Sequence, residues 1–452
     1  MKRIIIILLL LSGIQVRAES LSFDDFLSTA LNNSYKLKVS KIDTMISKRG
    51  IKEARAGYLP TISAFATTER YNDLTNGRAQ LTAVGNEIFL NRSYYQDMAA
   101  IGLSYNLFDF GVRKRQLEIS KADDRQKEIL LQKDTKDLKL DVVELYAKTL
   151  SLYKQAKIKQ EVLLLQKELL DIDQRLSRAG KISEVDVVEA EIKVTEIKSE
   201  LDELKNNLAK NLTEVSFYTN QDYNINNIEL KDFPNNPQDT PISADNIIKL
   251  SAKVNNLIPE ESYEIKAYDL EIYKKQKEYE LQKRANFPKI RFDTRYNLYG
   301  SNPSNFFDGI GDISQRSFSF RLSTSFVLFD GFKNINTIAK SKMEVEKLKI
   351  EKEKQVAELK KKYEQIRLDS ENAIVQNENN ANTLALVNKN LKMLENLNTN
   401  GIVDKSTCIN KRLKLLDKKS DLEQNQIKIF VAQYKLYVLG DEGVELQCKQ
   451  EL

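Results

Sequence analysis

The chain has no histidine. It therefore lacks the side chain that most often acts as general base or metal ligand near neutral pH. Carboxylates are abundant, but none forms a pair set apart from solvated helix faces, so no catalytic site, metal or cofactor is expected. Asp109-Phe110-Gly111 spells a protein-kinase metal motif. It stands without the rest of that machinery: no glycine-rich phosphate loop follows a strand, and a His-Arg-Asp loop is impossible without histidine.

Cysteine occurs only at Cys408 and Cys448, and no bridge between them is expected. A helix over residues 409–438 rises ~45 Å. Ten extended residues reach back at most ~36 Å, and a disulfide holds its Cα atoms within ~7 Å. Cys408 is expected as a free thiol near a helical turn. An excess of one charge is also lacking. There are 70 basic and 65 acidic residues, and without Lys2, Arg3 and Arg17 the balance is 67 to 65. Nothing in it points to nucleic acid. No apolar run of membrane-helix length follows the first 18 residues, so a passage through lipid would have to use strands.

Those first residues read Met1-Lys2-Arg3, then an apolar run from Ile4 to Leu11, then Val16-Arg17-Ala18 before Glu19. The pattern predicts a signal peptide over residues 1–18. The run is too short for a membrane anchor, and no cysteine sits near the cut to carry a lipid.

What the sequence does contain is one unit used twice. Leu107-Phe108-Asp109-Phe110-Gly111 returns as Leu328-Phe329-Asp330-Gly331-Phe332, 221 residues later. The same offset pairs Ser120-Lys121 with Ser341-Lys342 and Gly180 with Gly401. Upstream the offset is 228, pairing Ser34-Tyr35 with Ser262-Tyr263 and Pro60 with Pro288. The second copy is thus seven residues shorter in one loop, between the counterparts of Pro60 and Phe108. An unbroken offset suits long helices, where one inserted residue rotates everything beyond it by ~100°.

In each copy a helix leads to strands. Ser22 and Asp25 resemble an N-cap with an acid in the first turn, and helix is predicted over residues 23–58, ended by Pro60. Residues 61–71 alternate weakly, with Phe65 on the polar side. After a polar loop over 72–95, residues 96–108 alternate clearly: Ala99, Ile101, Leu103, Tyr105 and Leu107 against Met98, Ala100, Gly102, Ser104 and Asn106. The second copy predicts strands over 289–299 and 316–329. Ile290, Phe292, Tyr296 and Leu298 oppose Lys289, Arg291, Asp293 and Arg295; Phe318, Phe320 and Leu322 oppose Ser319, Arg321 and Ser323. A soluble sheet with one buried face would show this alternation. The strand length of about ten residues and the aromatics at both strand ends (Tyr58, Phe108, Phe287 and Phe329; Tyr71, Tyr94, Tyr95, Tyr296 and Tyr299) favour a membrane barrel.

Beyond each motif, residues 112–177 and 333–398 hold neither glycine nor proline and predict helices of ~100 Å. Heptad tracks run through Leu131, Leu138, Leu145 and Leu152, and through Val142, Ala156, Leu163 and Leu170; Thr149 and Lys159 interrupt them. This is a coiled-coil seam. Gly180 and Gly401 end the helices, and return helices follow. The expected division is a first repeat over 19–219 with a tip turn at 178–184, an irregular connection over 220–243, a second repeat over 244–438 with a tip turn at 399–405, and a tail over 439–452.

Four strands cannot close a barrel, and open edges are not tolerated in lipid. The strands must be shared between chains, two giving 8 and three giving 12. The duplication, Tyr58-Leu59-Pro60 and Phe287-Pro288 before strands, the Phe-Asp motifs after strands and the two tip glycines resemble the TolC-like outer-membrane efflux proteins. The resemblance covers nearly the whole chain after the leader. It implies a mainly α fold with a membrane β-barrel: a homotrimer whose 12-stranded barrel joins a periplasmic helical coiled-coil tunnel. It implies an exit duct in the outer membrane of a Gram-negative bacterium, serving tripartite efflux or type I secretion. Its partners would be outer-membrane lipid, a periplasmic adaptor (membrane fusion protein) and an inner-membrane pump of RND, ABC or MFS type.

The resemblance assigns Gly180, Lys181 and Gly401 to the adaptor-docking tip. Asp186 matches an acid that ties neighbouring helices shut. Asn398 stands where relatives place a partnering tyrosine, Asn410 where they place a constricting aspartate, and Val403 where they place an arginine. Asp404 and Lys405 would then form a different lock, with Glu184 adding negative charge. By the barrel rule that the polar face lines the lumen, Lys289, Arg291, Arg295 and Arg321 point inward. The rival reading is a periplasmic coiled-coil tether without a pore.

Overall fold

The computed structural model describes residues 19–70, 81–83, 86–88, 95–226, 228–234, 259–302, 305–311 and 315–440. The expected signal peptide, most of the loops after the first and third long strands, residues 235–258, the tail beyond 440 and Cys448 lie outside them. In order, the elements are β1 (Glu19–Leu21), α1 (Phe23–Asn33), α2 (Tyr35–Ala56), β2 (Thr61–Arg70), β3 (Leu81–Ala83), β4 (Asn86–Ile88), β5 (Tyr95–Phe108), α3 (Val112–Arg178) and α4 (Glu184–Thr219). Then come β6 (Ile228–Leu230), α5 (Tyr263–Lys283), β7 (Lys289–Asn302), α6 (Phe306–Gly311), β8 (Gln315–Ser325), α7 (Lys333–Thr399) and α8 (Lys405–Gly440).

The duplication is carried through residue by residue. The long helices α3 and α7 have 67 residues each, and the return helices α4 and α8 have 36 each. The Phe-Asp motif is the hinge at the start of each long helix. Asp109 accepts the amides of Gly111 (3.1 Å) and Arg113 (3.1 Å), and Asp330 accepts the amide of Asn334 (2.9 Å), so both aspartates cap a helix. Between cap and helix, two consecutive residues are left-handed: Phe110 (φ 53°) and Gly111 (φ 80°), then Gly331 (φ 67°) and Phe332 (φ 66°). One of each pair is a phenylalanine, a residue that L-chirality disfavours there. Its ring compensates by packing: Phe110 meets Phe108 and Phe287 edge-on at 4.7 and 5.4 Å, and Phe332 meets Phe329 at 5.4 Å. The kinase-like triplet is therefore a structural turn.

The contacts divide the chain into two units. One contains the described chain up to Ile42, Ile129–Lys266 and the chain from Glu353 onward. Its largest core gathers Phe23, Phe26, Tyr146, Leu208, Leu212 and Phe430, all at most 2 % exposed. The heptad interruptions are accommodated: buried Thr149 donates to the Leu145 carbonyl (2.7 Å), and Lys159 pairs with Glu200 (2.6 Å). Within the stretch expected to be irregular, β6 pairs in parallel with β1. The Tyr146 hydroxyl, 2.9 Å from the Leu21 carbonyl and 2.6 Å from that of Lys231, fastens this pair to α3. Burial pushes that phenol well above its ordinary value. The helix predicted over 23–58 is in fact two. Ser34 ends α1 and its hydroxyl accepts the Leu37 amide at the start of α2. Ser262, its counterpart, does the same for Ile265.

The other unit, Asp43–Glu128 with Ala267–Lys352, holds one antiparallel sheet in the order β2-β5-β7-β8. Ser63, Gly102, Arg295 and Ser319 stand in one cross-strand row, and Ile62, Leu103, Thr294 and Phe320 in the next, on the other face. β8 stops at Ser325, short of the expected 329, and β7 runs on to Asn302, beyond the expected 299. Asp97 of β5 breaks the alternation. It lies on the apolar side and is buried beneath Gly309 of α6, where any side chain would collide with its carboxylate.

Candidate functional site

Two places combine unusual chemistry with exposure: the turns that join each long helix to its return helix, and the sheet. Both turns follow the same local rules. Gly180 (φ 68°) and Gly401 (φ 71°) are the left-handed residues after α3 and α7. In the first turn the Gly180 amide donates to Ser177 (2.8 Å) and that of Lys181 to Leu176 (2.9 Å). In the second, Gly401 donates to Asn398 (2.9 Å) and Ile402 to Leu397 (2.9 Å). This double closure is a Schellman motif, and glycine supplies its left-handed residue without strain.

Three residues past each glycine the return helix is capped. Ser183 accepts the Asp186 amide (3.2 Å), while the Asp186 carboxylate accepts the Ser183 amide (3.0 Å) and hydroxyl (2.9 Å), a complete capping box. Asp404 accepts the Thr407 amide (3.1 Å) and the Ser406 hydroxyl (2.9 Å). Hydrogen bonds from Thr407 first, then Ser406, hold its carboxyl below the ordinary value.

The expected tip residues fall as follows. Gly180, Lys181, Glu184, Asp186, Gly401, Asp404, Lys405 and Asn410 are exposed, and Asn398 is half-buried. Asn398 donates from Nδ2 to the Val403 carbonyl (2.9 Å), bracing its own turn. Asp404 and Lys405 are not paired with each other. Instead the Lys405 ammonium lies 2.6 Å from Glu168 of α3, tying the second hairpin to the first. Beside this pair is a cavity of about 280 Å³ whose lining includes Leu165, Asn398, Cys408 and Arg412. Cys408 is an unbridged, half-buried thiol, with Sγ 3.5 Å from the Leu394 carbonyl. In the first hairpin, burial and then the charge of Asp186 push Asp173 up. Glu168 and Asp173 escaped the sequence reading because heptad analysis treats both as ordinary solvated positions.

On the sheet, Lys289, Arg291, Arg295 and Arg321 share the polar face, all exposed. Arg291 donates from Nε to Asn106 Oδ1 (3.3 Å). Asp293 on the same face accepts the Ser104 hydroxyl (2.7 Å). Arg295 lies with its guanidinium 5.2 Å from the centre of the Phe65 ring. The opposite face is apolar and open: Ile62, Ile101, Phe318, Phe320 and Leu322 are 62 to 75 % exposed. Among the described residues, β2 and β8 have no strand on their outer edges. Open edges are templates for pairing with another strand, and an apolar face of this kind marks an interaction surface.

Among the described residues no helix is long and apolar enough to cross a membrane, and no cluster of candidate metal ligands exists. Comparison with curated proteins finds no match. The family model "Outer membrane efflux protein" matches residues 26–221. Among solved structures, the Campylobacter jejuni CmeC outer membrane channel aligns with 93 % of this chain and 85 % of its own, at 15 % identity and a TM-score of 0.72. The Vibrio cholerae outer membrane protein VceC aligns over 92 % and 96 %, at 11 % identity and a TM-score of 0.69. The open state of the Neisseria gonorrhoeae MtrE outer membrane channel aligns over 94 % and 92 %, at 14 % identity and a TM-score of 0.67. The first repeat thus matches the outer membrane efflux protein family model in sequence, and the chain shares the fold of these outer membrane channels along nearly its whole length.

Proposed function

We propose that this protein is the outer-membrane exit duct of a tripartite efflux or type I secretion system. Three copies contribute four strands each to a 12-stranded barrel, and their helices form a periplasmic tunnel. The observation that carries the reading is the sheet itself. Its open edges β2 and β8 call for pairing with other copies, and its bare apolar face calls for lipid. Three copies rather than two follow the family resemblance; the sheet alone allows either.

The tip hairpins act as the gate. The adaptor engages the turns around Gly180, Lys181 and Gly401. Glu184, Asp186, Asn398, Asp404 and Asn410 surround the mouth, and the Lys405–Glu168 pair holds the hairpins together until the adaptor and an inner-membrane pump draw them apart. The reaction is passage of a solute, without bond making or breaking. Lys289, Arg291, Arg295 and Arg321 line the barrel and give that section a preference for anions.

Membrane fractionation tests the reading. The protein should sediment with the outer membrane and migrate as an oligomer that heat converts to monomer. Recovery of all of it in the soluble periplasmic fraction would favour the tether.

A further inference from the structure

We propose that the polar face of the sheet carries a binding site for aromatic carboxylates, built on Phe65 and Arg295. The inference rests on the duct reading only in taking this face as the lumen. Phe65 breaks the alternation of β2: its register partner Ala100 places it with Ser63, Gly102 and Arg295 rather than with Ile62 and Ala64. No core accounts for it there, since the residue is 44 % exposed. Its ring instead spreads across Gly102. A Cβ at that position would stand 3.4 Å from Phe65 Cε2 and 3.7 Å from Ser63 Oγ, so the glycine leaves the ring its place. Arg295, opposite Gly102 on the neighbouring strand, lays its guanidinium over the ring at 5.2 Å.

The charge at this spot is unspent. Among the described residues Arg295 has no carboxylate or hydrogen-bond partner; of the acids on its face, Asp293 takes the Ser104 hydroxyl and stands opposite Arg321, and Glu69 lies four residues along β2 from Phe65. A carboxylate can therefore take the guanidinium edge in a charge-assisted hydrogen bond. An aromatic ring attached to it can meet the open side of Phe65 edge-on. A neutral aromatic lacks the first contact and an aliphatic acid lacks the second.

Benzoate and cyclohexanecarboxylate separate these contributions. They match in charge and nearly in size, and the aliphatic ion is the more hydrophobic. With purified protein in planar bilayers, benzoate should reduce the current at a concentration about two- to fivefold lower than cyclohexanecarboxylate, the ratio expected of one exposed aromatic–aromatic contact. Phe65→Leu should abolish that ratio without moving the reversal potential, and Phe65→Tyr should keep it. Arg295→Gln should weaken both ions. Saturation-transfer NMR of benzoate on the detergent-solubilised protein reports the same preference without requiring an open gate. Equal potency of the two acids, or a benzoate preference that survives Phe65→Leu, would overturn the site while leaving the duct intact. A protein that passes no ions but binds benzoate through Phe65 would overturn the duct and keep the site.

Discussion

Asp186 and Asp404 begin the two return helices, and at that scale their work is local. Each carboxylate satisfies amides that the helix start leaves without partners. The Asp186 carboxylate is engaged in its capping box, and Asp404 and Lys405, the residues proposed for a different lock, have separate partners. Asp404 supplies a pH test. Its folded pKa lies below the ordinary 3.8, so its ionised form stabilises the second turn above that value. The contribution is lost as pH falls through the lowered folded value. Hydrogen exchange at the Thr407 amide should show steady protection from neutrality down to about pH 5 and a loss below about pH 4 beyond the intrinsic rate change. Asp404→Asn, which still caps, should remove the pH dependence. Unaltered pH dependence in that variant would place the titrating group elsewhere.

Among the elements, the sequence announces some boundaries and conceals others for identifiable reasons. The offset of 221 was legible, and both long helices and both return helices obey it, because an indel in a packed helix would rotate its buried stripe. The break at Ser34 was hidden. No glycine or proline marks it, and one serine closes the first helix through its amide and opens the next through its hydroxyl. The β1–β6 pair was hidden too, since three residues are too few to show a period and its anchor is the distant Tyr146. At the tips the glycines and caps were readable, but the Lys405–Glu168 pair joins residues of different repeats and leaves no trace in spacing. That pair links α3 to α8, so if the tip hairpins act as the proposed gate its removal should loosen them. Lys405→Ala should raise the single-channel open probability, and Glu168→Gln should do the same. The pair is largely exposed, so stability should change by no more than about 1 kcal/mol. Unaltered gating in both variants would remove the pair from the lock.

At the scale of the whole molecule, the proposed duct assigns the apolar strand face to lipid and the polar face to solute. Arg291 and Arg295 both stand on the polar face. Replacing them together by Ser should shift the reversal potential toward cations and leave assembly unchanged, because neither side chain supports a core. An unchanged reversal potential with failed membrane insertion would mean that the faces are reversed. The central claim is that the sheet is completed by other copies of this chain, since among the described residues β2 and β8 end it with open edges. Native mass spectrometry of the protein extracted in mild detergent tests this most directly. The account predicts a species of three chains, with no folded monomer. A stable, folded monomer as the sole species would contradict it.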